Sequence, residues 1–199
     1  DTTACSGTSI AGTVATTGTQ MDLGNVTLTA DSTIATGGGD LNINGTVDGT
    51  FYLILNAGVG NLVVTGAMGS LNPVASLTAT GTTISVQAVT TTGSQIYNGA
   101  LTLNGDITTT NSAITFNNAV TLGASIQITA GTSTITFNST MTGGANNLTL
   151  TANGIDLLGG ANSFTGTGTI TLQPSTDGTS IGIAGAAGVS GEQAFEAAI

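Results

Sequence analysis

The chain has 199 residues, ten carboxylates and no lysine, arginine or histidine, so its formal charge is -10 and no side chain balances it. Those absences exclude a phosphate-reading nucleic-acid surface, an arginine clamp, a Ser–His–Asp triad, a Cys–His pair and a histidine-ligated zinc site. Charged residues are only 5% and hydrophobic residues 39%, a balance that supplies a buried core rather than a disordered coil.

Threonine makes up about a fifth of the residues, glycine numbers 31, and there is no tryptophan. The buried material must therefore be Val, Ile, Leu and Ala, with Thr between them. These types favour strands, and Gly and Asn supply turns. Residues 1–13 read as a leading segment or cap. They hold the lone Cys5, which cannot close an internal disulfide and reads as a plain thiol. The start shows no signal-peptide pattern, so a chain opening on Asp1 is expected to be a mature product or a fragment.

Residues 14–185 are a succession of short apolar–polar–apolar units. In chain order they include Val26-Thr27-Leu28, Leu41-Asn42-Ile43, Ile84-Ser85-Val86, Leu101-Thr102-Leu103, Ile126-Gln127-Ile128 and Ile170-Thr171-Leu172. That is the two-residue period of a half-buried strand. Asn44-Gly45, Asn104-Gly105, Gly143-Gly144, Asn153-Gly154 and Gly159-Gly160 interrupt the units. The most apolar run, Phe51-Tyr52-Leu53-Ile54-Leu55, is far shorter than the roughly 20 residues of a membrane helix. Residues 186–199 differ: Ser190-Gly191-Glu192-Gln193 is a capping pattern ahead of helix formers. They predict a short helix over an open end, or a junction.

Two periods are visible. The longer carries Val14 to Gln20 onto Val89 to Gln95, and the same offset carries Val26-Thr27-Leu28 onto Leu101-Thr102-Leu103 and Asp31 onto Asp106. Inside it lies a shorter one, by which Ile114-Thr115-Phe116-Asn117 returns as Ile135-Thr136-Phe137-Asn138. The shorter period falls in the range of about 20–50 residues that indicates a solenoid. The expected fold is all-β, a parallel β-helix of coils of about 20 residues. About nine coils would make a rod of roughly 45 Å. A β-sandwich joined by Asn-Gly hairpins is the alternative. Asn44, Asn117 and Asn138 follow strands of the same form and are expected to stack as an amide ladder.

Residues 91–103, Ile114-Thr115-Phe116-Asn117 and the stretch 134–172 resemble the repeats of filamentous-haemagglutinin-like adhesins, large exported bacterial proteins. The resemblance covers most of 14–185. It implies a right-handed parallel β-helix and a place at the cell surface. The Asn-Pro-Asn-Gly motif of that family's secretion domain is absent from the sequence.

Candidate sites are few. Asp31 and Asp106, the only acids equivalent under the longer offset, could in principle form a glycosidase pair, but a retained turn role explains them without chemistry. Glu192 and Glu196 lie one helical turn apart and read as a solvated face. Asp22, Asp31, Asp40 and Asp48 are regularly spaced, but the consecutive Gly-Gly-x-Gly-x-Asp copies of a calcium-binding repeat are missing. Thr108-Thr109-Thr110, Thr132-Ser133-Thr134 and Thr165-Gly166-Thr167 resemble the ranks of ice-binding solenoids, yet their intervals are irregular. Asn25, Asn44, Asn138 and Asn147 open glycosylation sequons, which chance explains in a chain this rich in Asn and Thr. No catalytic, cofactor or metal residue is assigned.

The expectation is a non-catalytic structural repeat region of a secreted surface or extracellular protein, an adhesin-like shaft or self-associating filament subunit. An ice- or carbohydrate-binding solenoid is the alternative, and a polysaccharide-acting enzyme stands third. Expected partners are other copies, end to end, and a cell-surface or glycan receptor. Nucleic acid and membrane insertion are not expected. Unguarded strand edges at the two ends, without lysine to block them, are the reason to expect self-association.

Overall fold

The computed structural model describes residues 7–178 and 182–185. Its strands wind as successive coils, each with three sides. The first coil holds β1 (Thr8–Ala15) and β2 (Met21–Leu23); the second, β3 (Val26–Ala35) and β4 (Leu41–Ile43). The third holds β5 (Val47–Asp48), β6 (Tyr52–Asn56) and β7 (Leu62–Val64). The fourth is bridged at Met68 and continues as β8 (Ser76–Val86). Then come β9 (Val89–Thr91) and β10 (Gln95–Leu103), followed by β11 (Ile107–Thr109), β12 (Ile114–Phe116) and β13 (Val120–Leu122). The last coils hold β14 (Ile126–Phe137) and β15 (Met141–Gly144), β16 (Leu148–Leu157) and β17 (Phe164–Gly166), and finally β18 (Ile170–Gln173) and β19 (Gly182–Gly185).

Every strand pairing among the described residues is parallel. Hairpins would pair antiparallel, so the sandwich alternative falls and the chain is a β-solenoid. Its Asn-Gly pairs turn corners instead: Asn44-Gly45 leads from β4 to β5, which lie on different sides. On the first side, Thr8, Val26, Val47, Met68, Val89, Ile107, Ile128, Leu150 and Leu172 stack by eight successive pairings. At the usual strand spacing that is about 38 Å of rod.

The core is made of such columns. Ile34, Leu55, Ala79, Tyr97, Phe116 and Phe137 stack on the second side. Met21, Leu41, Leu62, Ile84, Leu101, Val120, Met141 and Phe164 stack on the third. All but the outermost are almost fully buried, each buried aliphatic or aromatic side chain contributing about 1.5–3 kcal/mol. No coil buries this face alone, so neighbours stabilise one another. Tyr97, Phe116 and Phe137 stack at ring-centroid distances of 5.4 and 4.8 Å, and Phe164 meets Phe137 edge-on at 5.0 Å.

The shorter sequence period is the coil repeat: Ile114-Thr115-Phe116 pairs in register with Ile135-Thr136-Phe137. The longer match is not a structural repeat. It carries Val26, on the first side, onto Leu101, on the third. Coil length also varies. The step from Ile84 to its partner Leu101 is a short one, and the step from Leu53 to its partner Leu77 is a long one.

Backbone hydrogen bonds follow one polarity. Inward-facing residues donate N–H to the following coil, as Val26 does to Thr46 O at 2.7 Å and Leu41 to Asn61 O at 2.8 Å. Outward-facing residues donate to the preceding coil, as Thr65 does to Ile43 O and Asn117 to Tyr97 O, both at 3.0 Å.

Candidate functional surfaces

The acids and amides at the corners share one task. A side-chain oxygen accepts the backbone N–H of a residue one coil further on. Asp31 Oδ1 accepts from Tyr52 N at 3.1 Å, Asp40 Oδ1 from Asn61 N at 2.8 Å, and Asp106 Oδ1 from Gln127 N at 2.8 Å. Asn25, Asn111 and Asn147 do the same for Thr46, Thr132 and Thr169 at 3.0, 3.0 and 2.9 Å. A corner N–H left without a ladder partner is thereby satisfied. Asp48 is buried and its Oδ1 accepts from Leu71 N at 2.8 Å and Asn72 N at 3.3 Å, holding the loop that lengthens that coil.

Asp31 and Asp106 are therefore not a pair. Asp31 lies in β3, between the first and second sides, and Asp106 precedes β11, at a different corner and four coils away. Asp22 instead faces outward on the third side, where Gln20 Nε2 and Asn42 Nδ2 donate to it at 2.9 and 2.8 Å. The four regularly spaced aspartates thus occupy separate places. Among the described residues no three His, Cys, Asp or Glu side chains come together. Cys5, Glu192, Glu196 and the expected C-terminal helix lie outside the described residues.

The amide ladder exists with different membership. Asn138 Nδ2 donates to Asn117 Oδ1 at 2.7 Å, and Asn117 Nδ2 to Asn98 Oδ1 at 2.6 Å. Asn98 Nδ2 continues to Thr80 Oγ1 at 3.3 Å. Asn44 is not a member, because it follows β4 on the third side whereas the ladder follows strands of the second. Asn98, missed in the sequence, sits inside the longer strand β10 rather than after a strand's end.

Threonine ranks form in register despite the irregular sequence intervals. Thr102, Thr121, Thr142 and Thr165 stack outward on the third side. Thr90, Thr108, Thr129 and Thr151 stack on the first. Only one residue from each of two sequence runs, Thr108 and Thr165, belongs to a rank. Thr109 beside Thr108 is buried and donates to Ser112 O at 2.6 Å. On the third side Thr121, Thr142 and Thr165 are exposed. They carry no charge and stand one strand spacing apart, about 4.8 Å.

A hydrogen-bonded polar network lies in the core. Tyr97, Gln95 and Thr91 are fully buried and joined by hydrogen bonds. Burial pushes the Tyr97 hydroxyl far above its ordinary value, because the low-dielectric interior disfavours phenolate. Among the described residues no helix is long and apolar enough to cross a membrane. Comparison with family models, with curated proteins and with solved structures finds no match to this chain.

Proposed function

We propose that this chain is the shaft of a secreted surface or extracellular protein, a non-catalytic spacer that sets the distance between its two ends. The observation that carries this reading is the uninterrupted column from Thr8 to Leu172, eight coil-to-coil pairings over one continuous core. Such a stack transmits length and stiffness, and its corner carboxylates are committed to backbone N–H groups. The absence of Lys and Arg leaves trypsin-like proteases no cleavage site, which suits life outside the cell. The resemblance to filamentous-haemagglutinin-like adhesins supports the same placement. Antibody raised against the purified chain should label intact source cells or their medium. Labelling only after lysis would overturn the reading.

A second reading is favoured by the third-side rank of Thr102, Thr121, Thr142 and Thr165. An uncharged, regularly spaced row of hydroxyls suits an ordered partner, ice or a polysaccharide surface. Thermal hysteresis, or retention on insoluble polysaccharide, lost in Thr121→Lys/Thr142→Lys would support it. Equal behaviour of the wild type and the double variant would remove it.

A further inference from the structure

The four Asn-Gly pairs of the sequence stand in different surroundings. Asn98 lies inside β10 with both ends of its amide held, Oδ1 by Asn117 Nδ2 at 2.6 Å and Nδ2 by Thr80 Oγ1 at 3.3 Å. Asn104 Nδ2 donates to Ser85 Oγ at 3.2 Å and to Val86 O at 3.3 Å. Asn153 lies inside β16, and its Oδ1 accepts from Ser175 N at 3.2 Å. Asn44 differs on every count. It follows β4 at a corner, it is the exposed asparagine of the four, and its side chain has no hydrogen-bond partner among the described residues. The Gly45 N–H beside it is also without a partner among them. The next N–H, that of Thr46, takes the Asn25 Oδ1 acceptor at 3.0 Å.

A free asparagine amide and a free backbone N–H after it are the reactants of deamidation. Closing the succinimide ring requires the side chain to bring its Cγ onto the following nitrogen. A strand or a bonded amide resists that rotation, and a following side chain crowds it; glycine does neither. We infer that Asn44-Gly45 is the site at which this chain modifies itself, by succinimide formation and hydrolysis. Gly45 N bonds to Asn44 Cγ and gives up its proton, the Cγ–Nδ2 bond breaks, and Nδ2 leaves as ammonia. Water then opens the ring at either carbonyl, leaving aspartate or isoaspartate. No electron is transferred, and water is the only other reactant.

Packing holds glycine at this position. A Cβ on Gly45 would collide with Asn25 Oδ1 and lie 2.8 Å from Asn25 N, and a Cβ on Gly66, one coil further on, would collide with the Gly45 carbonyl carbon. The stacked corner thus demands the residue that leaves Asn44 open to attack. Isoaspartate would carry the main chain through the former side chain. That adds a methylene between β4 and β5, beside the bond from Thr46 N to Asn25 Oδ1. The new carboxylate would join a chain already at -10 with no side-chain cation to meet it. This self-modification is independent of the shaft reading.

The experiment holds the full folded chain at mildly alkaline pH and samples it over time. Isoelectric focusing follows the charge, and peptide mapping separates asparagine, aspartate and isoaspartate at each position. An acidic species should accumulate as Asn44 is lost, with isoaspartate appearing there, while Asn98, Asn104 and Asn153 stay intact. In Asn44→Gln that species should be missing, because glutamine closes a larger ring far more slowly. In guanidinium chloride all four pairs should react at comparable rates, since unfolding removes what protects the other three. Loss of Asn98, Asn104 or Asn153 from the folded chain as fast as Asn44 would overturn the assignment. So would an Asn44 that survives in the folded chain over a period in which it reacts in the unfolded one. Neither result touches the shaft reading, which stands or falls on surface labelling.

Discussion

Tyr97 donates its hydroxyl hydrogen to Gln95 Oε1 at 2.7 Å, and both side chains are fully buried. Gln95 Nε2 passes the chain on to Thr91 Oγ1 at 3.1 Å and Thr108 O at 2.9 Å. The network lies where coils are shortest and ties the second side to the first. Only the bond to Thr108 O crosses between coils, so a one-step slip would leave the buried Gln95 amide without that acceptor.

Alkaline pH should attack this group. Burial raises the folded-state value of Tyr97 above its ordinary 10, so the unfolded chain releases the proton first. The stabilisation is complete below pH 10 and is lost as pH rises past it, by about 1.4 kcal/mol per pH unit. The melting temperature should fall steadily above pH 10. In Tyr97→Phe it should be lower at pH 8, because Gln95 Oε1 loses its donor at a cost of about 1–3 kcal/mol. The alkaline fall should then be shallower than in the wild type. Equal slopes in the two proteins would contradict the assignment.

The aromatic column makes a second prediction. Phe116 sits between Tyr97 and Phe137, with centroids 5.4 and 4.8 Å away. Phe116→Ala should cost about 3–5 kcal/mol. Each coil is held only by its neighbours, so the loss should weaken coupling between the two halves of the rod. Hydrogen exchange should show β12 and its partners opening earlier, with β3 and β6 least affected. Uniform acceleration along the whole chain would mean the solenoid unfolds as one unit.

Much of this fold was legible in the sequence because stacking repeats chemistry at a fixed step. Ile114-Thr115-Phe116 announced its partner Ile135-Thr136-Phe137, and the alternation marked which residues face inward. What stayed hidden was the side on which each strand lies. Triplets on all three sides look alike, so Asn44 passed for a mate of Asn117, and Asp31 for an equivalent of Asp106. Variable corners hid the threonine ranks in the same way. The step from Thr142 to Thr165 is longer than that from Thr102 to Thr121, yet both pairs are in register. Corner insertions change sequence spacing without changing the pairing of the strands they join.

The corner role of Asp106 separates it from chemistry. Its Oδ1 accepts from Gln127 N at 2.8 Å, and an amide oxygen can replace the carboxylate there. Asp106→Asn should leave the melting temperature indistinguishable from wild type. Asp106→Ala removes the acceptor at an exposed corner and should cost about 0.5–1.5 kcal/mol. If Asn were as harmful as Ala, the charge rather than the hydrogen bond would be the operative feature.

Salt should stabilise this protein in an unusual way. Most chains carry charges of both signs, and ions screen attraction and repulsion together. Here ten carboxylates face no side-chain cation, so screening acts almost wholly on repulsion. Raising sodium chloride from about 0.01 to about 0.15 M shortens the Debye length from about 30 to about 8 Å. A relief of about 1 kcal/mol in total corresponds to a gain of about 2–4 °C for a chain of this size. The gain should level off at higher salt, as screening does, and not keep climbing as preferential exclusion would. A melting temperature that is flat or falling over the low-salt range would show that the carboxylates are held by more than backbone N–H groups.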